Sequence, residues 1–127
     1  MSSKNEGMEL KALRGAITCE ENSIESIEIA VKELLIELLK RNELKPDQIL
    51  SITFSTTKDI DACFPASTAR RAMDLKNVAL LDCQQMYVKG DLANCIRILA
   101  IVNLPEDQMP RHTYLGEASM LRPDRSV

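Results

Sequence analysis

The chain is poor in the features that mark several common classes of protein. Aromatic residues make up only 3% of its 127 residues, and tryptophan is absent. Acidic residues outnumber basic ones, which leaves a formal net charge of -3. A nucleic-acid-binding protein needs a basic face, and base reading draws on aromatic rings. The composition therefore argues against a nucleic-acid partner.

Long apolar runs are missing as well. No segment is long and apolar enough to span a membrane, and the polar start of the chain lacks the apolar core of a signal peptide. The composition, 45% hydrophobic and 28% charged, is typical of a globular protein. We therefore expect a cytoplasmic protein with a loose leader over residues 1–7 and a single domain over residues 8–127.

Patterns for metal binding and disulfides are lacking. The four cysteines are far apart, none forms a Cys-x-x-Cys pair, and His112 is the single histidine. A zinc site needs closely spaced ligands, and disulfides are rare in cytosolic proteins. We therefore predict no metal site. A nucleophilic pair of His112 with Cys83 or Cys95 stays open, although nothing in the local sequence indicates an activated thiol.

What is present predicts an α+β fold with a mixed five-stranded sheet and one long helix. Apolar residues at helical spacing predict that helix over residues 23–41, with an N-cap at Asn22-Ser23 and with Glu25 able to complete a capping box from Asn22. A shorter helix is expected to open at Phe64-Pro65 and to run to about Met73. The predicted strands cover residues 9–18, 50–55, 78–81, 95–103 and 111–121.

The fourth predicted strand is apolar on both faces. By strand alternation, one face of the sheet receives Cys95, Leu99 and Ile101, and the other face receives Ile96, Ile98, Ala100 and Val102. One helix covers only one face of a sheet. Because the sequence offers no second long helix, we expect self-association to cover the other face, and ligand pockets favour such interfaces.

Two arginines interrupt apolar strands. Arg97 lies within the fourth strand and Arg14 within the first. Arginine is almost never fully buried unless it is paired, and its planar fork of donors suits carboxylates. Two such forks predict a pocket for a small anion. The simpler alternative is a strand edge, where the arginine stem packs and the head reaches water.

Five motifs, in this order, resemble the AroH-class chorismate mutases. They are Leu13-Arg14-Gly15-Ala16-Ile17-Thr18, Phe64-Pro65-Ala66, Cys95-Ile96-Arg97, Arg111-His112-Thr113-Tyr114-Leu115 and Leu121-Arg122-Pro123-Asp124. Their order and spacing match the family over nearly the whole chain. The resemblance implies a homotrimeric pseudo-α/β barrel with active sites at the subunit interfaces. It also implies the cofactor-free Claisen rearrangement of chorismate to prephenate, on the route to phenylalanine and tyrosine.

The resemblance implies a role for individual residues. Arg97 would contact the ether oxygen and a carboxylate of chorismate, Arg14 would bind a carboxylate, and Tyr114 would hydrogen-bond the substrate. Further substrate-binding residues are implied along the pocket wall, namely Leu80, Leu81, Cys83 and Leu121. The neighbouring subunit would supply Phe64, Ala66, Ser67 and Arg70. Arg122 and the tail would close over the site.

Two candidate catalytic positions depart from the family. Gln85 stands where the family typically has glutamate, and Asp82 stands where a relative has cysteine. Gln85 can still accept a bond from the ring hydroxyl of chorismate, but it carries no charge. If residues 82–85 turn helically, the two side chains share a face and Asp82 supplies the missing charge. The alternative for Asp82 is an exposed turn residue.

Two other functions stay open beside a chorismate mutase. A catalytically weakened homologue would bind chorismate without converting it, and Gln85 is the feature that favours this alternative. A trimeric protein similar to the imine deaminases would also bind a carboxylate through a strand arginine. The motifs at residues 111–114 and 121–124 argue against this second alternative.

Overall fold

A mixed five-stranded sheet forms the centre of the computed structural model, which describes residues 7–121. The strands lie in the order β3-β2-β4-β1-β5. Two α-helices and two short 3₁₀ helices, Pro46–Gln48 and Gly116–Met120, complete the described chain. The strands and α-helices are β1 (Met8–Thr18), α1 (Ile24–Arg41), β2 (Ile49–Thr56), α2 (Pro65–Ala72), β3 (Ala79–Gln84), β4 (Cys95–Pro105) and β5 (Thr113–Leu115).

β4 is the central strand and organises the sheet. It pairs antiparallel with β1 on one side and with β2 on the other. The outer strands are parallel to their neighbours, β3 to β2 and β5 to β1. The prediction of an α+β fold with a mixed five-stranded sheet is confirmed.

The long helix α1 forms where the periodicity predicts it. Of the two predicted N-cap candidates, Ser23 caps the helix, and its hydroxyl accepts the backbone N–H of Ser26 at 3.1 Å. The capping box predicted between Asn22 and Glu25 is wrong. Asn22 Oδ1 instead accepts two backbone N–H groups in the loop before α2.

The main core lies between α1 and one face of the sheet. The apolar stripe of α1 meets alternate residues of the strands, including Leu13 and Ile17 of β1, Phe54 of β2 and Ile98 of β4. Phe54 and Leu13 are fully buried. Burying side chains of this size contributes about 1.5–3 kcal/mol each, so this layer dominates the stability of a single chain.

The opposite face of the sheet is left open by both helices. α2 packs its Ala66 and Ala69 into the same core as α1, so it adds nothing to the second face. Large apolar side chains remain exposed there, with Leu81 at 61% and Leu99 at 43%. We call this side of the sheet the open face. The sequence expectation of an uncovered second face agrees with this exposure.

The fifth strand is shorter than the sequence predicts. β5 holds three residues, and the chain then turns into the 3₁₀ helix Gly116–Met120. Gly116 has a φ of +59°, a left-handed conformation that ends the extended backbone. A Cβ at this position would come within 2.9 Å of Thr18 Oγ1, so a larger residue would have to displace that hydroxyl group as well as adopt the left-handed conformation. The predicted strand over residues 111–121 is therefore wrong at both ends.

Within residues 7–121, neither helix combines the length and the apolar character that crossing a bilayer requires.

Candidate active site

The register of the sheet brings the two strand arginines to one face. Arg14 lies opposite Leu99, and Ala16 lies opposite Arg97. Arg14 and Arg97 are therefore diagonal neighbours, which in antiparallel pairs lie roughly 7–8 Å apart. Both belong to the open face, because they alternate with residues of the core. Since β4 is the central strand, the strand-edge alternative is wrong for Arg97.

The Arg97 guanidinium is half-buried and only partly paired. Its side chain is 31% exposed, and its Nη2 group donates to the two carboxylate oxygens of Asp91 at 3.3 and 3.4 Å. Its Nε–H group is buried and has no hydrogen-bond partner within residues 7–121. Leaving a buried donor unpaired is costly. This donor is therefore positioned to bind an acceptor on a ligand or on another chain.

Gln85 reaches the same place from the end of β3. Its backbone N–H donates to the carbonyl of Thr56 at 2.8 Å and so extends the pairing of β3 with β2. Strand alternation then puts its side chain on the open face. Gln85 Nε2 donates to Asp91 Oδ2 at 2.7 Å. Gln85 Oε1 is buried, and no partner for it lies in the part of the chain that the structure describes.

Asp91 joins Gln85 and Arg97, and sequence reasoning missed it. Its side chain is 21% exposed, and its Oδ1 also accepts the backbone N–H of Leu92 at 2.8 Å. The sequence indicated only a turn at residues 89–91. No helical or strand spacing links Asp91 to the other two residues, because a returning loop brings them together. The available signal was a carboxylate midway between two residues already singled out.

Tyr114 lies in the same row of the sheet as Arg97. Ala16 pairs with Arg97 on one side and with Tyr114 on the other. The Tyr114 side chain is buried against Cys95, with Leu121 packed beside them. The Ala16 side chain, between the arginine and the tyrosine, is fully buried in the same cluster as Tyr114. These placements define the arginine group, which consists of Arg14, Gln85, Arg97 and Tyr114.

The other predicted site residues form a second group at the β3 edge of the helix-covered side. Phe64 is 68% exposed, and Arg70 is exposed with its Nη2 group donating to Ser67 Oγ at 3.4 Å. Ala66, in the first turn of α2, is buried in the main core. We call these residues, together with Asp82, the α2 group; its members are Phe64, Ala66, Ser67, Arg70 and Asp82. The structure does not bring it into contact with the arginine group of the same chain, since the sheet lies between them.

Asp82 attaches α2 to the sheet. Its Oδ1 accepts the backbone N–H of Ala66 at 3.0 Å, in the first turn, where helix N–H groups lack intrahelical partners. The N-cap residue Phe64 makes no side-chain hydrogen bond to these N–H groups. Burial raises the pKa of the Asp82 carboxyl above its ordinary value, opposed in part by the Ala66 N–H and by the charge of Arg70.

The helical turn assumed for residues 82–85 is wrong. β3 continues through Gln84, beyond the predicted end at Leu81. In an extended strand, residues three apart point to opposite faces. Asp82 shares the helix-covered side with its register partner Phe54, whereas Gln85 lies on the open face. Within a single chain, the Asp82 carboxylate therefore does not lie beside Gln85. The alternative, that Asp82 is an exposed turn residue, is also wrong, because Asp82 lies within β3.

The predicted pocket wall is divided by the same alternation. Leu81 and Cys83 lie on the open face, whereas Leu80 packs against the main core. Leu121 lies beside Tyr114. Arg122, predicted to close the site, lies outside the described residues.

A nucleophilic cysteine–histidine pair does not form. His112 Nδ1 accepts the backbone N–H of Arg14 at 2.9 Å, whereas Cys95 lies opposite Thr18. Four residues of a strand separate these contacts by about 13 Å. Cys83 lies three strands away from β1. Burial also raises the pKa of the Cys95 thiol, although the nearby Arg97 opposes this, so the reactive thiolate is disfavoured.

A cavity lined by residues of β1, α1 and the loop between them lies apart from the arginine group. It measures about 700 Å³, and five glutamates line it: Glu20, Glu21, Glu25, Glu33 and Glu117. Such a wall repels anions. A smaller cavity of about 130 Å³ is lined by Gln85 and Asp91 and so adjoins the arginine group. Within residues 7–121, no cluster of three or more metal-ligating side chains occurs.

Comparison with known proteins gives a consistent result. A model of the family described as chorismate mutase type I matches residues 10–125. The chain is 39% identical to chorismate mutase AroH of Thermus thermophilus, over 91% of this chain and 95% of that protein. It is 36% identical to chorismate mutase AroH of Bacillus subtilis (strain 168), over 94% and 95%. A solved chorismate mutase from Clostridium thermocellum superimposes with a TM-score of 0.80 and 37% identity, covering 87% of this chain and 98% of that one.

Proposed function

This chain belongs to the type I chorismate mutase family, and we propose that it converts chorismate to prephenate at a site centred on Arg97, Arg14 and Gln85. One observation carries the proposal more than any other. Beside a second arginine on the open face, a buried donor, Arg97 Nε, and a buried acceptor, Gln85 Oε1, have no hydrogen-bond partner within residues 7–121. A small anion with its own hydroxyl group is the kind of ligand that pairs both.

The proposed chemistry follows from the charge that the reaction develops. In this Claisen rearrangement a C–O bond breaks while a C–C bond forms, and negative charge grows on the ether oxygen. A fixed donor aimed at that oxygen stabilises the transition state more than the ground state. Arg97 is suited to this role because a central strand holds its backbone and Asp91 holds its Nη2 group.

The remaining residues of the arginine group position the substrate. Arg14 binds a carboxylate, Gln85 Oε1 accepts the bond from the ring hydroxyl, and Tyr114 donates a supporting hydrogen bond. Holding a flexible dianion in its compact reactive shape contributes to the rate by restricting its motion. No step requires a metal, a nucleophile or a proton transfer.

The site is completed by a second copy of the chain. The arginine group lies on the open face, and the α2 group presents the exposed Phe64 and Arg70 on the helix-covered side, at the β3 edge of the sheet. In a ring of chains that contact one another head to tail, the arginine group of each chain meets the α2 group of the next chain. We therefore propose a homotrimer with three interface sites, in which Leu81, Leu99 and their neighbours become covered.

Turnover of chorismate by the purified protein tests the function. We expect loss of chorismate to match the formation of prephenate, with no added metal or cofactor. Binding of chorismate without turnover would favour the weakened homologue. Neither binding nor turnover would contradict the proposal and favour the protein similar to the imine deaminases. Sedimentation of the same sample gives the oligomeric state.

A further inference from the structure

Asp91 is the carboxylate that contacts two members of the arginine group, Gln85 and Arg97. It accepts from Gln85 Nε2 at 2.7 Å and from Arg97 Nη2 at 3.3 Å. Each partner keeps one other polar atom buried and unpaired within residues 7–121, Oε1 on Gln85 and Nε on Arg97. On each of these two side chains, the unpaired atom is therefore a different atom from the one that binds Asp91.

The contact with Asp91 settles the orientation of the Gln85 amide. An amide can present either its oxygen or its NH₂ group, and the two orientations occupy almost the same space. Turning this amide over would place Oε1 against the Asp91 carboxylate, so that two acceptors would face each other. The carboxylate thus keeps Nε2 toward itself and leaves Oε1 for the substrate.

The same contact fixes the Arg97 fork. A guanidinium carries five donors in a rigid plane, so holding its Nη2 group also sets the direction of its Nε–H. The bonds at 3.3 and 3.4 Å are long for charged partners. Asp91 therefore orients the guanidinium, while most of its donor capacity stays available.

We propose that Asp91 is a positioning residue of the active site, holding Gln85 with its amide oxygen toward the substrate and Arg97 with its Nε–H toward the substrate. This inference rests on the proposed function. In this role, the Asp91 carboxylate determines that Gln85 presents a hydrogen-bond acceptor to the substrate and that Arg97 presents a donor. Asp91 itself is not expected to touch the reacting atoms.

Removal of the Asp91 charge is the first test. We expect Asp91→Asn to lower kcat/KM by roughly tenfold to a hundredfold, because small misplacement of a catalytic group is costly. Asp107→Asn, at an exposed position, removes an equal charge and should leave kcat/KM unchanged. Wild-type kcat/KM in the folded Asp91→Asn variant would overturn the proposal.

A reciprocal exchange distinguishes positioning from a merely structural role. Gln85→Glu sets a second carboxylate against Asp91, and like charges at this distance raise one of the two pKa values. We expect that variant to lose activity near neutral pH and to regain it as the pH falls. The double variant Gln85→Glu/Asp91→Asn restores one donor facing one acceptor, so we expect it to exceed both single variants and to have a flatter pH profile.

Other titratable and charged groups near Asp91 also influence the pH profile of activity. Arg97 and Cys95 face it from β4, and Lys58, Asp59 and Tyr87 line the adjoining cavity. All of these are present in every variant, so they cancel in the comparison. Strictly additive effects, with no change in the pH profile of Gln85→Glu, would contradict the role of Asp91. Absence of turnover in the wild type would instead contradict the proposed function.

Discussion

The arginine group and the α2 group are held in the fold in different ways. Arg97 and Arg14 lie on β4 and β1, and β4 is hydrogen-bonded to a strand on each side. The α2 group lies on edge strand β3 and on an eight-residue helix whose N-cap residue offers no side-chain hydrogen bond. Groups that stabilise a developing charge gain from rigid placement, since they then need no reorganisation during the reaction. The α2 group, at the edge of the sheet, is the part of the site that we propose meets a neighbouring chain.

Removal of the Arg97 guanidinium should give the largest effect. We expect Arg97→Ala to raise the barrier by about 3–4 kcal/mol, a loss of roughly 10²–10³-fold in kcat, as for a lost oxyanion donor. Arg97→Lys should also be slow, because an ammonium group lacks the Nε–H and the planar fork. Arg111→Ala, at an exposed position on the connection before β5, is the control. Near-normal turnover in Arg97→Ala would reject the assignment of this residue.

Mixing two inactive variants should show whether the groups act across chains. Arg97→Ala disables the arginine group and Arg70→Ala the α2 group. In co-refolded equal mixtures about one quarter of the sites receive both intact groups, one from each neighbour. We expect activity to return to about that fraction of the wild type, measured as prephenate formation.

The control for this mixture replaces the adjacent arginine on the same helix. Arg71 forms an ion pair with Glu28 at 2.8 Å and is not part of the α2 group. Arg71→Ala alone should therefore stay active. If the mixture of Arg97→Ala with Arg70→Ala stays as inactive as its components, the two groups do not meet at an interface.

The smallest expected effect concerns how Asp82 holds α2. Its pKa in the folded protein is raised above the ordinary 3.8 by burial, so the folded state binds more protons than the unfolded state between the two pKa values. The free energy of unfolding therefore falls as pH rises through that interval. Asp82→Asn keeps an oxygen for the Ala66 N–H and removes the buried charge.

Urea denaturation at fixed chain concentration measures this difference. We expect Asp82→Asn to gain stability relative to the wild type as the pH rises upward from 3.8. Asp107→Asn, which alters an exposed carboxylate, should follow the wild-type dependence. A pH-independent difference between Asp82→Asn and the wild type would contradict the effect of burial.

Much of the fold follows from local patterns in the sequence. The helical stripe of α1 and the apolar character of β4 depend on neighbouring residues, so periodicity predicts them correctly. The end of β5 does not, because Gly116 adopts its left-handed turn against Thr18, a residue far away in the sequence. The Asn22 side chain was likewise misassigned, since a distant loop competes for its oxygen.

The amino-acid sequence alone determined the family, the sheet with its uncovered face, and the two strand arginines, because these depend on residue type and on spacing along the chain. Only the tertiary structure decided that Asp82 points toward α2 and that Asp91 holds Gln85 and Arg97. Strand register and loop closure set those contacts. Both arise from long-range pairing, which no local spacing of residues encodes.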